Sequence, residues 1–145
     1  MKDMIKRHAP KGLLVVLALL VGPVQAQPES LADHQVVVQI SEGDAFKQKI
    51  VLNNVSNLLK HYGPDLVDIE VVAYGPGLRL LFEDNANQGR IDNLMKQGVE
   101  FSACSNTMAN MGKDLDDLIA GTEKVAGGVV YLMERQEEGW SYLRP

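Results

Sequence analysis

Runs of β-branched and aliphatic residues alternate along this chain with segments whose apolar residues recur three to five positions apart, and that alternation restricts the fold more than any other feature. Val36, Val37, Val38 and Ile40 make a first run with strand propensity. Phe46, Ile50, Val51, Val55, Leu58, Leu59 and Tyr62 then draw one apolar stripe along a helix of about four to five turns. Asp44 is placed to cap its start, and Gly63-Pro64 to stop it. Residues 68–74 form a second strand, ending in Gly75-Pro76-Gly77 and a leucine-rich segment, Leu78 to Phe82, at helical spacing. The polar residues 84–89 interrupt that segment, and Ile91, Leu94 and Met95 resume it until Gly98. Strands separated by helical segments are the pattern of repeated β-α-β units, so a mostly parallel sheet with helices on both faces is expected.

The third strand leads to the chemistry. Val99, Phe101 and Ala103 alternate with Glu100 and Ser102, and Cys104, the one cysteine of the chain, falls at the carboxyl end. Ser105, Asn106 and Thr107 follow at once, residue types that cap helices by accepting hydrogen bonds from the first free N–H groups. A thiol at that junction faces the positive end of the helix dipole, a field that favours thiolate, the nucleophilic and metal-binding form. The competing reading is an inert core cysteine. Gly75 and Gly77 offer a second, weaker feature, since a Gly-x-Gly after a strand can cradle an anion on backbone N–H groups. Against it, Leu81 occupies the third glycine position of the dinucleotide pattern and Pro76 removes a donor, which favours a tight turn. In parallel sheets ligands gather at the carboxyl ends of strands, where both features fall.

After Cys104 the helical pattern is expected to break at Gly112 and continue through Leu115, Leu118 and Ile119, with Asp114, Asp116 and Asp117 on a solvated face; their spacing lacks the glycine and distal glutamate of a calcium loop. Beyond Gly121 local rules conflict. Residues 129–133 have strand propensity, yet Val129, Leu132, Met133 and Gln136 share a helical face.

The first residues read as an export signal. Lys2, Lys6, Arg7 and Lys11 form a basic head, residues 13–21 an unbroken apolar run, and Val24-Gln25-Ala26 the small residues of a cleavage site. The run is well short of the ~20 apolar residues of a membrane span. Residues 1–26 are thus expected to be a signal peptide, and the mature protein to be exported, in the periplasm, with no membrane attachment. Loss of four basic residues and one acidic residue takes the net charge from −5 to about −8. An acidic surface without a basic stripe repels phosphate backbones, so nucleic acid is excluded as a partner. An exported chain with one cysteine closes no internal disulfide.

Three motifs in order carry a resemblance. Gly75-Pro76-Gly77 after a Val-Val strand, Gly98-Val99-Glu100-Phe101 leading to Cys104 and Asn106-Thr107-Met108, and the closing Gly139-Trp140-Ser141-Tyr142-Leu143-Arg144-Pro145 together resemble the DsrE/DsrF-like family, over residues 35–145. The resemblance implies a three-layer α/β/α sandwich with a mostly parallel sheet of about five strands, and a homo-oligomer. It implies that Cys104 carries a persulfide, as in sulfur-relay members. It also turns the C-terminal ambiguity towards a helix over residues 127–137 and a last strand over residues 140–143. Relay members act inside the cell with partner subunits, whereas this chain carries an export signature.

Three functions compete. In the first, Cys104 takes a sulfane sulfur from a donor and passes it to an acceptor thiol, a thiolate exchange that requires no cofactor; the donor or acceptor can be a protein. No local Cys-His motif exists, and His34 and His61, the histidines of the mature chain, read as surface residues. In the second, the protein is a non-catalytic oligomeric module that binds a small ligand, with Cys104 as pocket lining. In the third, Cys104, Met108 and Met111 bind a soft metal ion, although methionines at that spacing fit a core equally well.

Overall fold

The computed structural model describes residues 32–145; the expected signal peptide lies outside them. Five parallel strands form one sheet in the order β4-β3-β2-β1-β5. They are β1 His34–Ile40, β2 Val67–Ala73, β3 Glu100–Cys104, β4 Glu123–Val125 and β5 Ser141–Leu143. Four α-helices connect them: α1 Ala45–Tyr62, α2 Gln88–Met95, α3 Ser105–Met111 and α4 Gly128–Glu137. The sandwich expected from the sequence and the family resemblance is present.

The strand order dictates how the helices are distributed. The chain steps from β1 to β2, β3 and β4 in one direction across the sheet, and right-handed crossovers in one direction all fall on one face. Returning from β4 to β5 reverses the direction, so α4 must cross on the other face. The core agrees with this rule. On the first face Val36, Val38, Ile40, Ile69, Val71 and Phe101 pack against Val51, Leu52 and Val55 of α1, Ile91 and Leu94 of α2, and Met108 of α3. On the second face Val37, Val72 and Val125 meet Leu132 of α4, with Tyr74, Tyr131 and Trp140 at the margin.

Local signals act largely as read. Asp44 caps α1 by accepting the Lys47 N–H at 3.0 Å, and Gly63 ends the helix at φ 88°, a conformation that glycine adopts without strain. Residues 75–81 wind as a 3-10 helix that buries Leu78, Leu80 and Leu81 completely. Two expectations are corrected. The helix after Cys104 does not continue past Gly112, which takes the left-handed C-cap conformation; Leu115–Asp117 is a 3-10 turn closed by a reciprocal Asp114–Asp117 capping box, and Leu118 bridges to Phe82 in extended form. The strand β4, Glu-Lys-Val, has no counterpart in the sequence reading.

Candidate functional site

Cys104 ends β3, and its side chain belongs to the second face, because Phe101 and Ala103 alternate onto the first. Its register partner on β4 is Val125, two residues before Gly127, the N-cap of α4. The two strands send their helices to opposite faces, α3 to the first and α4 to the second. The gap between β3 and β4 therefore opens between two helix starts that leave to opposite faces, at the carboxyl edge where parallel sheets hold their ligands, although the strand order itself reverses between β1 and β5. Cys104 stands at its mouth, 5 % exposed.

The residues after Cys104 do not act as expected. Ser105, Asn106 and Thr107 were expected to cap α3, but they form its first turn, and the N-cap residue is Cys104 itself. Sulfur thus stands where an oxygen ordinarily accepts from the second and third N–H groups of a helix. The neutral thiol makes no conventional capping hydrogen bond. The surrounding donors act on the anion instead. Burial alone would raise the Cys104 thiol, but the N–H of Gly128, the Thr107 hydroxyl and the N–H groups of Thr107 and Asn106 outweigh it and hold the thiol below its ordinary value. Donors from the starts of two helices, α3 and α4, thus converge on one sulfur.

Thr107 links this sulfur to the glycine motif. Its Oγ1 accepts the Gly75 N–H at 3.0 Å, which leaves the hydroxyl proton for the sulfur. Gly75 and Gly77 lie next to the site, but their N–H groups are already used: that of Gly77 is donated to Ser41 and Tyr74 carbonyls at 3.0 and 3.1 Å. The glycines serve close packing. Gly75 has φ 51°, and a Cβ on Gly77 would lie 2.3 Å from the Ile40 carbonyl oxygen. Ser105 is partly buried and Asn106 exposed, its amide nitrogen 3.7 Å from where a Gly127 Cβ would stand.

Other candidates separate from this point. Met108 and Met111 pack with the first-face core, on the opposite side of the sheet from the sulfur, so the soft-metal constellation is not assembled. Among the described residues no group of three or more His, Cys, Asp or Glu side chains is arranged to hold a metal ion. His34 and His61 both pack on Tyr62, ring centroids 4.2 and 4.7 Å away, at the amino end of β1 and far from Cys104. A cleft of about 500 Å³ between α1 and α2 contains Ser56, but that hydroxyl is engaged by Arg90 at 3.0 Å and the Leu52 carbonyl at 2.8 Å.

Sequence reading missed Gly128, the donor from α4. Its signal was the Gly127-Gly128 pair opening a segment whose structural type was undecided. A Cβ on Gly128 would lie 3.0 Å from the Tyr74 Cβ, tighter than ordinary contact, so glycine lets the start of α4 settle closely against the residue that follows β2. No helix among the described residues is long and apolar enough to cross a membrane.

The solved structures similar to this chain share its architecture. A protein of unknown function from Methanobacterium thermoautotrophicum, MTH1491, is 42 % identical, with a TM-score of 0.75, and covers 78 % of this chain and 100 % of its own. The ychN protein from E. coli, 16 % identical with a TM-score of 0.61, covers 78 % of this chain and 99 % of its own. A conserved protein of unknown function from Bacteroides thetaiotaomicron, BT1422, is 17 % identical with a TM-score of 0.58, over 82 % of this chain and 100 % of its own. At those identities the last two support the fold alone. No curated protein matches the chain. The match to the DsrE/DsrF-like family runs over residues 34–145, from the first residue of β1 to the end of the chain, and this protein belongs to that family.

Proposed function

We propose that this protein is a persulfide carrier: Cys104 takes up a sulfane sulfur and passes it to an acceptor thiol, a sulfurtransferase-like step within a sulfur relay. The observation that carries the reading is the placement of Cys104 as the N-cap of α3 with its β4 partner Val125 three residues before Gly128, so that the starts of α3 and α4 flank the sulfur and their donors hold the thiol below its ordinary value. Membership in a family with sulfur-relay members supports it. The Cys104 thiolate attacks a sulfane sulfur of a polysulfide. One S–S bond forms, the S–S bond within the donor breaks, and its electron pair leaves on the shortened polysulfide. An acceptor thiolate then attacks the outer sulfur of Cys-S-SH and returns Cys104 as thiolate, so no net oxidant or reductant is consumed.

A second reading, an oligomeric small-ligand-binding module without catalysis, draws support from the 5 % exposure of Cys104, which limits direct attack to compact donors. Alkylation rate against pH, followed by intact mass after inorganic polysulfide, separates the two. The relay reading expects an apparent thiol pKa below the ordinary range, one added sulfur on the wild type and none on Cys104→Ser. A thiol that titrates above the ordinary range, or reacts only on unfolding, favours the module.

Two further inferences belong to this reading. The mature protein begins near Gln27 and acts outside the cytoplasm, supported by the basic head, apolar run and Val24-Gln25-Ala26 of the sequence; N-terminal sequencing of exported material tests it. The protein assembles as a homo-oligomer, supported by the family and by exposed Val129, Val130 and Met133 on α4; a monomeric mass by light scattering would refute it.

A further inference from the structure

Glu70, in the middle of β2, is 1 % exposed, the one ionisable acid or base among the buried polar residues of the described chain. A carboxylate is removed from water at a large cost, so its partners must account for its presence. Ser102 donates to Oε1 at 2.7 Å and Arg135 Nε to Oε2 at 3.0 Å. Arg135 is itself held in place: its guanidinium lies 4.7 Å from the ring centroids of both Tyr131 and Trp140, bonds Glu138 at 2.7 Å, and donates to the Tyr131 hydroxyl. Glu70 thus ties a single helix, α4, to the sheet.

The position of α4 matters at its other end. Gly128, Leu132 and Arg135 stand at i, i+4 and i+7, one stripe facing the sheet over two turns, about 10 Å of helix. Leu132 packs on Val37 and Val72, and Arg135 closes on Glu70. Gly128 sits against Tyr74, three residues after Val125, the β4 register partner of Cys104. Four buried apolar residues are a small contact with which to fix the axial position of a helix, because apolar packing is non-directional. A charge-assisted hydrogen bond is directional and sets that position.

We propose that Glu70 and Arg135 are positioning residues of the Cys104 site: their ion pair fixes α4 on the second face of the sheet and thereby holds the Gly128 N–H against the Cys104 sulfur. This rests on the reading that Cys104 is the working group, and it adds how the sulfur's environment is maintained.

Glu70→Gln gives a discriminating test, because two mechanisms predict opposite signs. Acting only through space, removal of a negative charge would ease ionisation of Cys104 and lower its thiol pKa. Release of α4 withdraws a donor and raises it. The readout is the pH profile of Cys104 alkylation, with far-UV circular dichroism confirming the fold. Expected are a raised apparent pKa in Glu70→Gln and in Arg135→Lys, which keeps the charge but loses the planar fork, and an alkylation rate below the pKa reduced about threefold. Leu59→Ala, a first-face substitution, lowers the denaturant midpoint and leaves the thiol profile unchanged. Folded Glu70→Gln with an unchanged or lowered thiol pKa overturns the proposal; if Glu70→Gln does not fold, Arg135→Lys decides alone. Polysulfide uptake is measured separately by mass: a wild type that takes up no sulfur defeats the relay reading, whereas an unchanged thiol profile in the variants defeats the positioning role.

Discussion

The two faces of the sheet are built from the same strands but perform different tasks. The first is covered by three helices and a 3-10 segment, and its inward residues are apolar without interruption: Val36, Val38 and Ile40 on β1, Val67, Ile69, Val71 and Ala73 on β2, Phe101 and Ala103 on β3. Among the described residues the second is covered by α4 alone, and its rows mix Val37 and Val72 with Gln39, Glu70, Ser102 and Cys104. The difference follows from chain direction, since three crossovers in one sense and one in the other place the helices three to one. Hydrophobic burial scales with area, so the first face supplies most of the stability. The second face holds polar groups that burial alone does not favour: Glu70, with Ser102, anchors α4 through Arg135, and Gln39 bonds Ser41 and Tyr142.

The comparison is broken most directly by truncating one side chain on each face. Phe101 is fully buried among residues of several elements, and Phe101→Ala should cost about 3–5 kcal/mol, since the cavity cannot collapse. Leu132 is 4 % exposed beneath a single helix whose outer side is open, so Leu132→Ala should cost about 2–3 kcal/mol as α4 settles inward. Urea unfolding midpoints with unchanged slopes measure both. Equal losses would mean that the second face carries as much of the stability as the first.

The same asymmetry decided what could be read from the sequence. First-face residues of β1, β2 and α1 announce themselves by apolar periodicity, and Asp44 and Gly63 by capping chemistry, so these elements are legible locally. β4 is not: Glu123 and Lys124 are exposed, and the three residues are a strand only because β3 pairs with them. Without β4 the start of α4 cannot be placed, and Cys104 is seen at a strand end but not between two helix starts. The helix α4 is ambiguous because Val129, Val130 and Met133 point outward, giving apolar residues on its wet side; only the family resemblance separated helix from strand there. Glu70 reads as an ordinary polar position in an alternating strand, since its partner Arg135 is 65 residues away. The continuation expected after Gly112 failed for a local reason, because Asp114 starts a new capped turn rather than extending the old helix.

A smaller effect probes the polar layer itself. Burial, then the negative charge of Glu70 and its hydrogen bond, push the Tyr131 hydroxyl up to about 12, against the opposing effect of Arg135. A folded-state value raised above the unfolded one gives stability that is present below the unfolded pKa of ~10 and lost as pH rises through the folded value. Stability should therefore decline between ~10 and about 12. Spectrophotometric titration should show one tyrosine ionising late, and Glu70→Gln should bring it earlier. A late tyrosine that ignores that substitution would separate Tyr131 from the Glu70 cluster.

The smallest expected effect lies at the sheet edge that belongs to neither core. All three residues of β5 are exposed, and pairing with β1 is supplemented by polar ties: Tyr142 donates to Gln39, Lys47 to the Pro145 carbonyl at 3.0 Å, and Arg144 to Glu42 at 2.8 Å. The Arg144 hydrogen bond is the main cause that holds the Glu42 carboxyl at about 2; burial opposes it, and the Ser41 hydroxyl and N–H reinforce it. Because the folded value is depressed, the contribution is fully present above the unfolded carboxylate range, near ~4.3, and is lost as pH falls through about 2. The pair is open to solvent, so screening keeps the effect well below that of either core truncation, and added salt should shrink it. Glu42→Gln should lower the urea midpoint slightly at neutral pH and leave it unchanged near the acid end of that window. A difference that persists after Glu42 is protonated would show that the substitution acts through the Ser41 turn rather than through the ion pair, leaving β5 to its backbone pairing and the Tyr142 and Lys47 ties.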